Sequence, residues 1–147
     1  DFHALIHRVV KRFEPQAQAK GVTFSLSLAR NCPTLEVDPQ RIEQVLNNLL
    51  SNALRYSPKN HPIKLILVYN SEQVRVTVRD FGPGIPAEEL PNLFDRFYKS
   101  DKARVRSKGG TGLGLSISQK LIEAHGATIE ASNHAQGGAV FTITFRI

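Results

Sequence analysis

Residues 41–58 of the chain read RIEQVLNNLLSNALRYSP. Asp38 and Pro39, just before this stretch, are suited to the N-cap and to the first helical position. Ser57-Pro58 should end the helix, because the residue before a proline is disfavoured in the helical region. Placed at about 100° per residue, the apolar residues gather on one broad face. That face predicts a helix packed on the core, and its members are Ile42, Val45, Leu46, Leu49, Leu50 and Ala53.

A polar stripe runs beside this apolar face and holds Arg41, Asn48, Asn52 and Arg55, with Tyr56 between the two faces. Asparagine is a poor helix former, so two asparagines one turn apart on a surface helix are unusual. Two interpretations stay open at this point. The side chains are either solvated on an exposed face, or their oxygens serve a magnesium–phosphate site, since Mg²⁺ takes oxygen ligands.

Length and composition fit one globular domain of 147 residues. No apolar run reaches the roughly 20 residues that a membrane span needs, and no secretory signal is found. Because the chain starts inside a predicted helix, we expect it to be a piece of a longer protein. The single cysteine, Cys32, excludes an internal disulfide and fits a reducing compartment. The chain has a net charge of +6, and basic residues crowd into residues 96–108. Because this is a local patch, the charge does not indicate a nucleic-acid or membrane binder.

Helix and strand patterns alternate along the rest of the chain without strict βαβ repetition. This order predicts an α/β two-layer sandwich, with a mixed, mostly antiparallel sheet and helices packed on one face. Pro15 predicts a break or kink late in the first helix. The predicted helices are 1–20, 39–57, one or two short ones within 87–98, and 116–125. The predicted strands are 22–28, a possible 34–37, 63–69, 73–79, 127–132 and 139–147.

Asp80 follows the strand 73–79, and by alternation it falls on the face of Val74, Val76 and Val78. A carboxylate on an apolar face is costly unless a donor hydrogen-bonds to it. Its partner could be protein backbone or the amino edge of a purine. The segment DFGPGIP that starts at Asp80 contains two glycines, which let the backbone pass close to a flat ligand.

A polar, charged segment at residues 99–108 has no hydrophobic period, so we expect a mobile loop, either a nucleotide-responsive lid or merely a solvated one. The glycine-rich GGTGLGL at residues 109–115 then opens a predicted helix, whose free N–H groups suit an anion. The chain has no GxxxxGK[ST], which excludes a P-loop. A Rossmann site is excluded as well, because RVRSK at residues 104–108 is not an apolar strand.

Five motifs occur in order: NLLSNALRYSP, DFGPGIP, LFDRFYKSDKAR, GGTGLGLSIS and GGAVFTITF. They resemble the N box, the three glycine boxes and the phenylalanine stretch of sensor histidine kinases. The resemblance covers nearly the whole chain. It implies the Bergerat-type ATP-binding sandwich shared with gyrase, MutL and heat-shock chaperones. It also implies one catalytic ATP-binding domain over residues 1–147 with a lid at about 99–110, and no dimerisation or phospho-acceptor domain.

The resemblance assigns roles by position. It implies that Asn48 binds Mg²⁺ and that Asn52 lies against the metal or the phosphates of ATP. Arg55 would reach the phosphates, Tyr56 would pack by the nucleotide, and Asp80 would accept from the adenine amino group.

The same resemblance places Gly82, Gly84 and Ile85 around the adenine. Arg96 and Lys99 match basic positions next to the lid, where one commonly touches the terminal phosphate. With Asn48, they are the expected catalytic residues. The hinge and the backbone donors for the phosphates would be Gly110, Thr111, Gly112, Leu113, Gly114 and Leu115.

One residue position in the sequence distinguishes ATP hydrolysis from phosphoryl transfer to a protein. In ATP-hydrolysing relatives, a glutamate four residues before the metal asparagine acts as general base. Here that position is Gln44, and Glu43 lies about 100° round the helix. The sequence therefore predicts γ-phosphoryl transfer to a histidine, achieved by positioning and charge neutralisation. A pure nucleotide-binding module would need a damaged motif, and none is damaged.

None of the five histidines stands in the acceptor context of the family. The resemblance therefore implies an acceptor on a separate dimeric helical hairpin of the same protein, and relay to a response regulator. We expect this fragment to be monomeric, without a nucleic-acid partner, and to be the cytoplasmic part of a membrane sensor. His3 and His7 share a helix face, for which surface or domain packing is favoured over a metal pair; the others are His61, His125 and His134.

Overall fold

The structure is a computed structural model that describes residues 1–95 and 114–147. The helices are α1 (Phe2–Lys20), α2 (Pro39–Tyr56) and α3 (Gly114–Ala124), with a 3₁₀ helix at Ala87–Asn92. The strands are β1 (Thr23–Leu28), β2 (Pro62–Tyr69), β3 (Gln73–Arg79), β4 (Thr128–Asn133) and β5 (Ala139–Arg146).

The five strands form one sheet in the order β1-β2-β3-β5-β4. Strands β1 and β2 are parallel, and the other three pairs are antiparallel. The register places Val76 opposite both Leu67 and Ile143, so the apolar side chains of neighbouring strands share one face. The helices pack on that face. The predicted two-layer sandwich with a mixed, mostly antiparallel sheet is confirmed.

Helix α2 forms for the reasons that the sequence indicates. The Asp38 side chain accepts from the backbone N–H of Gln40 at 3.0 Å, and Pro39 occupies the start of the helix. Its apolar face is buried in the core, where Val45 and Leu50 are fully covered. Burying one such side chain contributes about 1.5–3 kcal/mol, so this face fixes the helix on the sheet. Its polar stripe is thereby turned away from the core.

Two expected local features do not occur. Helix α1 continues through Pro15 to Lys20 without the predicted break, while the alternative of a kink stays a prediction. A proline removes only one intrahelical hydrogen bond, and the last turn is held by buried Ala17 and by Gly21, which caps the helix in the left-handed conformation. Residues 34–37 form no strand, because within the described part of the chain β1 and β2 pair with each other and no strand pairs with this segment.

Each helix buries only part of its surface, as Leu5, Ile6 and Val9 do for α1. The remaining faces carry polar side chains. In the described ranges, no helix combines the length and the apolar character that crossing a membrane would require.

Candidate functional site

The Asn48 side chain joins α2 to the first turns of α3. Its Nδ2 donates to the carbonyl oxygen of Gly114 at 3.3 Å and to Ser118 Oγ at 3.1 Å. A carbonyl oxygen only accepts, so the atom beside Gly114 must be the amide nitrogen. The remaining polar atom, Oδ1, is therefore the amide oxygen. No residue within 1–95 and 114–147 donates a hydrogen bond to it. This oxygen is available to a ligand.

The rest of the stripe follows along α2 towards its end. Asn52 is half-buried and Arg55 is exposed. Asn47 lies about 100° round the helix from Asn48 and apart from the stripe, and its buried Oδ1 has no hydrogen-bond partner in the described part of the chain. The structure therefore brings Asn48, Asn52 and Arg55 onto one surface of α2.

Lys20 fixes the C-terminal end of α2, where Arg55 and Tyr56 lie. Its Nζ donates to the carbonyl oxygens of Leu54 and, at 3.0 Å, of Arg55. A cation is favourable at this end of a helix because unpaired carbonyls make it negative. Partial burial lowers the pKa of Lys20. The contact attaches the end of α1 to the end of α2.

Asp80 lies directly after β3 and is 3% exposed, so the predicted position on the valine face is confirmed. Its Oδ1 accepts from the backbone N–H of Gly82 at 2.9 Å and of Ala139 at 3.1 Å. Backbone, one of the two partners that the sequence left open, is thus the partner of this oxygen. Because Oδ1 takes both donors, the carboxylate is fixed in orientation.

Gly82 and Gly84 shape the loop that follows Asp80. A Cβ at Gly82 would lie 2.5 Å from the carbonyl oxygen of Tyr56, so only glycine lets the loop approach the end of α2 this closely. Gly84 has φ +78°, a conformation that side chains rarely adopt. Ile85, half-buried, follows. The loop and the end of α2 therefore form one continuous surface.

Sequence reasoning missed the residues that hold this loop from the other side. Asn133 Oδ1 accepts from Ile85 N–H at 2.7 Å, and Asn133 Nδ2 donates to the Ile85 carbonyl at 2.6 Å. Gly138 packs against Asp80 so closely that a Cβ there would lie 1.9 Å from the Asp80 carbonyl oxygen. These residues are about 50 positions away in the sequence, and their glycine and asparagine types indicated only a turn.

Arg79 was also missed. Alternation places it on the outer face of the sheet, yet it is only 7% exposed. Its guanidinium carbon lies 4.1 Å from the centre of the Phe81 ring, a cation–π contact, and one of its terminal nitrogens donates to the Gly137 carbonyl at 3.1 Å. Arg79 therefore ties the loop after β3 to the turn between β4 and β5.

Glu43 and Gln44 face different surroundings. Glu43 pairs with Arg12 of α1 at 2.5 Å and with Arg8 at 3.7 Å. Gln44 is exposed, and its side-chain oxygen accepts from Arg41 at 3.5 Å. Glu43, the carboxylate one position from the expected general base, is thus turned towards α1 and held there by two arginines.

The described residues contain no group of three or more His, Cys, Asp and Glu side chains that could hold a metal ion. His3 lies with Nε2 2.5 Å from the Ala29 carbonyl oxygen, which favours the packing role over the metal pair with His7.

Cys32 is free, and burial raises the pKa of its thiol, which keeps it protonated and a weak nucleophile.

Several expected site residues lie outside the described residues. Gly114 and Leu115 are described and begin α3. The predicted lid at about 99–110 lies outside the described ranges, together with Arg96, Lys99, Gly110, Thr111, Gly112 and Leu113.

Known proteins match both the sequence and the fold. The family described as "Histidine kinase-, DNA gyrase B-, and HSP90-like ATPase" matches residues 37–147. Sensor protein kinase WalK of Staphylococcus epidermidis is 38% identical over 144 residues. That alignment covers 96% of this chain but only 23% of WalK, so the chain spans under a quarter of the length of this relative.

Solved structures with a similar fold include three histidine kinases. The catalytic domain of histidine kinase ThkA, in a nucleotide-free form, superposes with a TM-score of 0.86 at 33% identity, covering 99% of this chain and 93% of that domain. Mycobacterial sensor histidine kinase MprB gives 0.87 at 26% identity, with 99% and 95% covered. Full-length ShkA in complex with AMPPNP gives 0.85 at 27% identity, with 98% of this chain and 29% of ShkA covered.

Proposed function

Since this chain belongs to the histidine kinase-, DNA gyrase B-, and HSP90-like ATPase family and is a catalytic domain of the protein-histidine kinase type, we propose that it binds Mg-ATP and transfers the γ-phosphoryl group to an acceptor histidine on a separate domain. One observation carries the proposal. The Asn48 amide is fixed against Gly114 and Ser118, so its oxygen is available beside the glycine-led start of α3. That start offers N–H groups suited to phosphate.

The adenine would lie between Asp80 and the loop of Gly82, Gly84 and Ile85. Asp80 is buried and held in one orientation by two backbone donors. A carboxylate in this position can accept from the adenine amino group, which is a charge-assisted hydrogen bond. Tyr56, half-buried at the end of α2, would pack beside the nucleotide. The bound AMPPNP in ShkA supports an adenine nucleotide as the ligand class.

The residues on α2 fit a magnesium ion. Mg²⁺ prefers oxygen ligands and usually completes its shell with phosphate oxygens and water. Asn48 Oδ1 would bind it, Asn52 would lie against the metal or the phosphates, and the exposed Arg55 would reach the phosphates. When bound, Mg²⁺ would neutralise charge that develops on the β- and γ-phosphate oxygens.

Residues outside the described ranges complete the site in this proposal, on the resemblance alone. Arg96 and Lys99 would contact the terminal phosphate. Backbone N–H groups of residues 110–115 would hold the triphosphate, and residues 99–110 would close over it as a lid.

Transfer is favoured over hydrolysis because neither residue at or beside the expected general-base position on α2 is placed to activate water. Gln44 cannot accept a proton, and Glu43 is paired with Arg8 and Arg12. The acceptor imidazole nitrogen would form a bond to the γ-phosphorus as the bond to the bridging oxygen breaks and ADP leaves. The domain contributes positioning and charge neutralisation to this step.

In the whole protein, the acceptor would lie on a dimeric helical hairpin, and a response regulator would receive the phosphoryl group. This chain would then be the single catalytic domain on the cytoplasmic side of a membrane sensor. The sensor-kinase names of the WalK relatives support this arrangement. We expect the isolated domain to be a monomer that does not bind nucleic acid.

The test is calorimetry of ATP binding with and without Mg²⁺, followed by incubation with γ-labelled ATP and the hairpin domain of the parent protein. We expect Mg-dependent binding and an acid-labile label on the hairpin. Asn48→Ala should abolish both the label and the Mg²⁺ dependence, whereas Ser51→Ala, an exposed change on α2, should alter neither. Release of inorganic phosphate with no labelled hairpin would instead make the domain a hydrolase.

A further inference from the structure

We propose that Asn133, at the end of β4, is a positioning residue that fixes the loop after β3 for the nucleobase, an inference that rests on the proposed nucleotide function. Both polar atoms of its amide bind one residue. Oδ1 accepts from Ile85 N–H at 2.7 Å, and Nδ2 donates to the Ile85 carbonyl at 2.6 Å. The amide therefore acts on Ile85 as a paired strand would.

The loop depends on this contact because Ile85 lies outside the sheet. Backbone N–H and C=O groups that lack a ladder partner must be satisfied elsewhere. Here one side chain satisfies both groups of Ile85. The position before it is adapted to the contact, since Gly84 has φ +78° and a Cβ there would lie 2.8 Å from Asn133 Oδ1. Glycine at 84 therefore leaves room for the asparagine.

The two ends of the loop are fixed by different groups of the same β4–β5 connection. At the Asp80 end, Asp80 and Ala139 exchange hydrogen bonds, with Asp80 N–H donating to the Ala139 carbonyl at 3.0 Å and Ala139 N–H donating to Asp80 Oδ1 at 3.1 Å. At the other end, Asn133 holds Ile85. Because both ends are anchored to one turn, the gap between Asp80 and Ile85 has a set width. Asn133 controls the Ile85 side of it.

Because Ala139 anchors the Asp80 end of the loop and Asn133 anchors the Ile85 end, a change at Asn133 should affect only one side of the pocket. Loss of the Asn133 amide should loosen the Ile85 side of the pocket and leave Asp80 in place. The phosphates would be held by α2 and by the start of α3, which Asn133 does not contact. Binding of the base should therefore weaken while binding of the triphosphate does not.

The experiment compares Asn133→Ala, Asn133→Asp and Ser132→Ala. Ser132 is an exposed neighbour on β4 and serves as the control. The aspartate keeps an acceptor for Ile85 N–H but places a second oxygen against the Ile85 carbonyl. It therefore tests the two hydrogen bonds between Asn133 and Ile85 even if the alanine variant folds poorly. The measurements are affinities for Mg-ATP, Mg-GTP and Mg-tripolyphosphate, and hydrogen exchange of the Ile85 amide without nucleotide.

We expect Asn133→Ala to weaken Mg-ATP binding about tenfold, because the released Ile85 side of the loop must then be ordered when the base binds. The preference for ATP over GTP should shrink, tripolyphosphate binding should be unchanged, and the Ile85 amide should exchange faster. Asn133→Asp should move the same readouts in the same direction, and Ser132→Ala should move none.

Unchanged ATP affinity in a folded Asn133→Ala protein would overturn the inference while leaving the proposed function intact. An equal loss of ATP and tripolyphosphate binding would overturn it as well, because that is the mark of general destabilisation. If the wild-type domain failed to bind ATP, the proposed function itself would fall, and this inference with it. The wild-type measurement thus separates the two failures.

Discussion

Ser118 of α3 is fully buried, and its Oγ accepts a hydrogen bond at 3.1 Å from the Asn48 side chain of α2. Together with the Gly114 carbonyl at 3.3 Å, this hydroxyl gives both hydrogens of the Asn48 amide an acceptor. An asparagine amide held in this way cannot exchange its nitrogen and oxygen positions without losing the bond to the Gly114 carbonyl, which only accepts. Ser118 adds a second contact that holds in place the side chain whose oxygen the proposed magnesium site would receive.

Ser118→Ala should weaken Mg-ATP binding several-fold and leave metal-free ATP binding unchanged. The variant removes one hydrogen bond of about 0.5–1.5 kcal/mol from Asn48 and so loosens the proposed ligand, not the adenine pocket. Calorimetry with and without Mg²⁺ measures the difference, and Ser51→Ala is the exposed control. Equal losses in the two conditions would mean that Ser118 acts only on stability.

Asp80→Asn should weaken ATP binding by about 1.5–3 kcal/mol, the value of a hydrogen bond to a charged group. An asparagine can keep Oδ1 as the acceptor for Gly82 and Ala139, so the unfolding temperature should change much less than the affinity. Glu130→Gln, which neutralises an exposed carboxylate on β4, is the matched control. Wild-type affinity in Asp80→Asn would show that the carboxylate serves only the protein backbone.

Local and periodic features of the fold could be predicted from the sequence. Helix α2 was found because its cap, its proline and its apolar face all act within one stretch. Asp80 was found because alternation along a strand is strict. The break expected at Pro15 does not occur because the helical turn that follows is held by tertiary contacts. A rule based on local sequence does not include such contacts.

The sequence predicted those site residues that lie within a continuous motif. It did not predict contacts between residues that are far apart in the chain. Asn48 was recognised, but its partner Ser118 is 70 residues away. Asn133 was missed because its effect is on backbone 48 residues earlier. Arg79 alternates onto the outer face of the sheet, yet it is buried there by its contact with Phe81. Tertiary contacts of this kind leave no periodic pattern in the sequence.

Gly138→Ala should destabilise the domain far more than Gly137→Ala. Both glycines have positive φ, at +91° and +99°, so both alanines carry the same backbone strain of about 1–2 kcal/mol. Only at Gly138 would the new Cβ also meet the Asp80 carbonyl oxygen, whereas Gly137 has open space. Thermal or urea unfolding measures both, and similar losses would contradict the close packing of the turn on Asp80.

Residues 99–110, proposed as a lid on sequence alone, give a proteolysis prediction. Their positive charges should be drawn to a bound triphosphate, so Mg-ATP should protect Arg104, Arg106 and Lys108 from trypsin. ADP should protect them less, because it carries less charge. Equal cleavage without nucleotide, with ADP and with ATP would leave only a solvated loop.

The last prediction concerns the choice between transfer and hydrolysis. Gln44→Glu should raise the slow release of phosphate from ATP in the absence of an acceptor. The change places a carboxylate at the position that a general base occupies in ATP-hydrolysing relatives. A well-placed general base contributes about 10²–10⁴-fold, so an unoptimised one should still give roughly a tenfold increase.

Glu43→Gln is the matched control, because it alters a carboxylate one position away that is paired with Arg8 and Arg12. It should leave phosphate release at the wild-type level and cost at most about 1 kcal/mol in unfolding free energy, as partly exposed ion pairs do. The assay is phosphate release under saturating Mg-ATP. A fall in release with Glu43→Gln, and no rise with Gln44→Glu, would identify Glu43 as a working base and reverse the assignment made from its ion pairs.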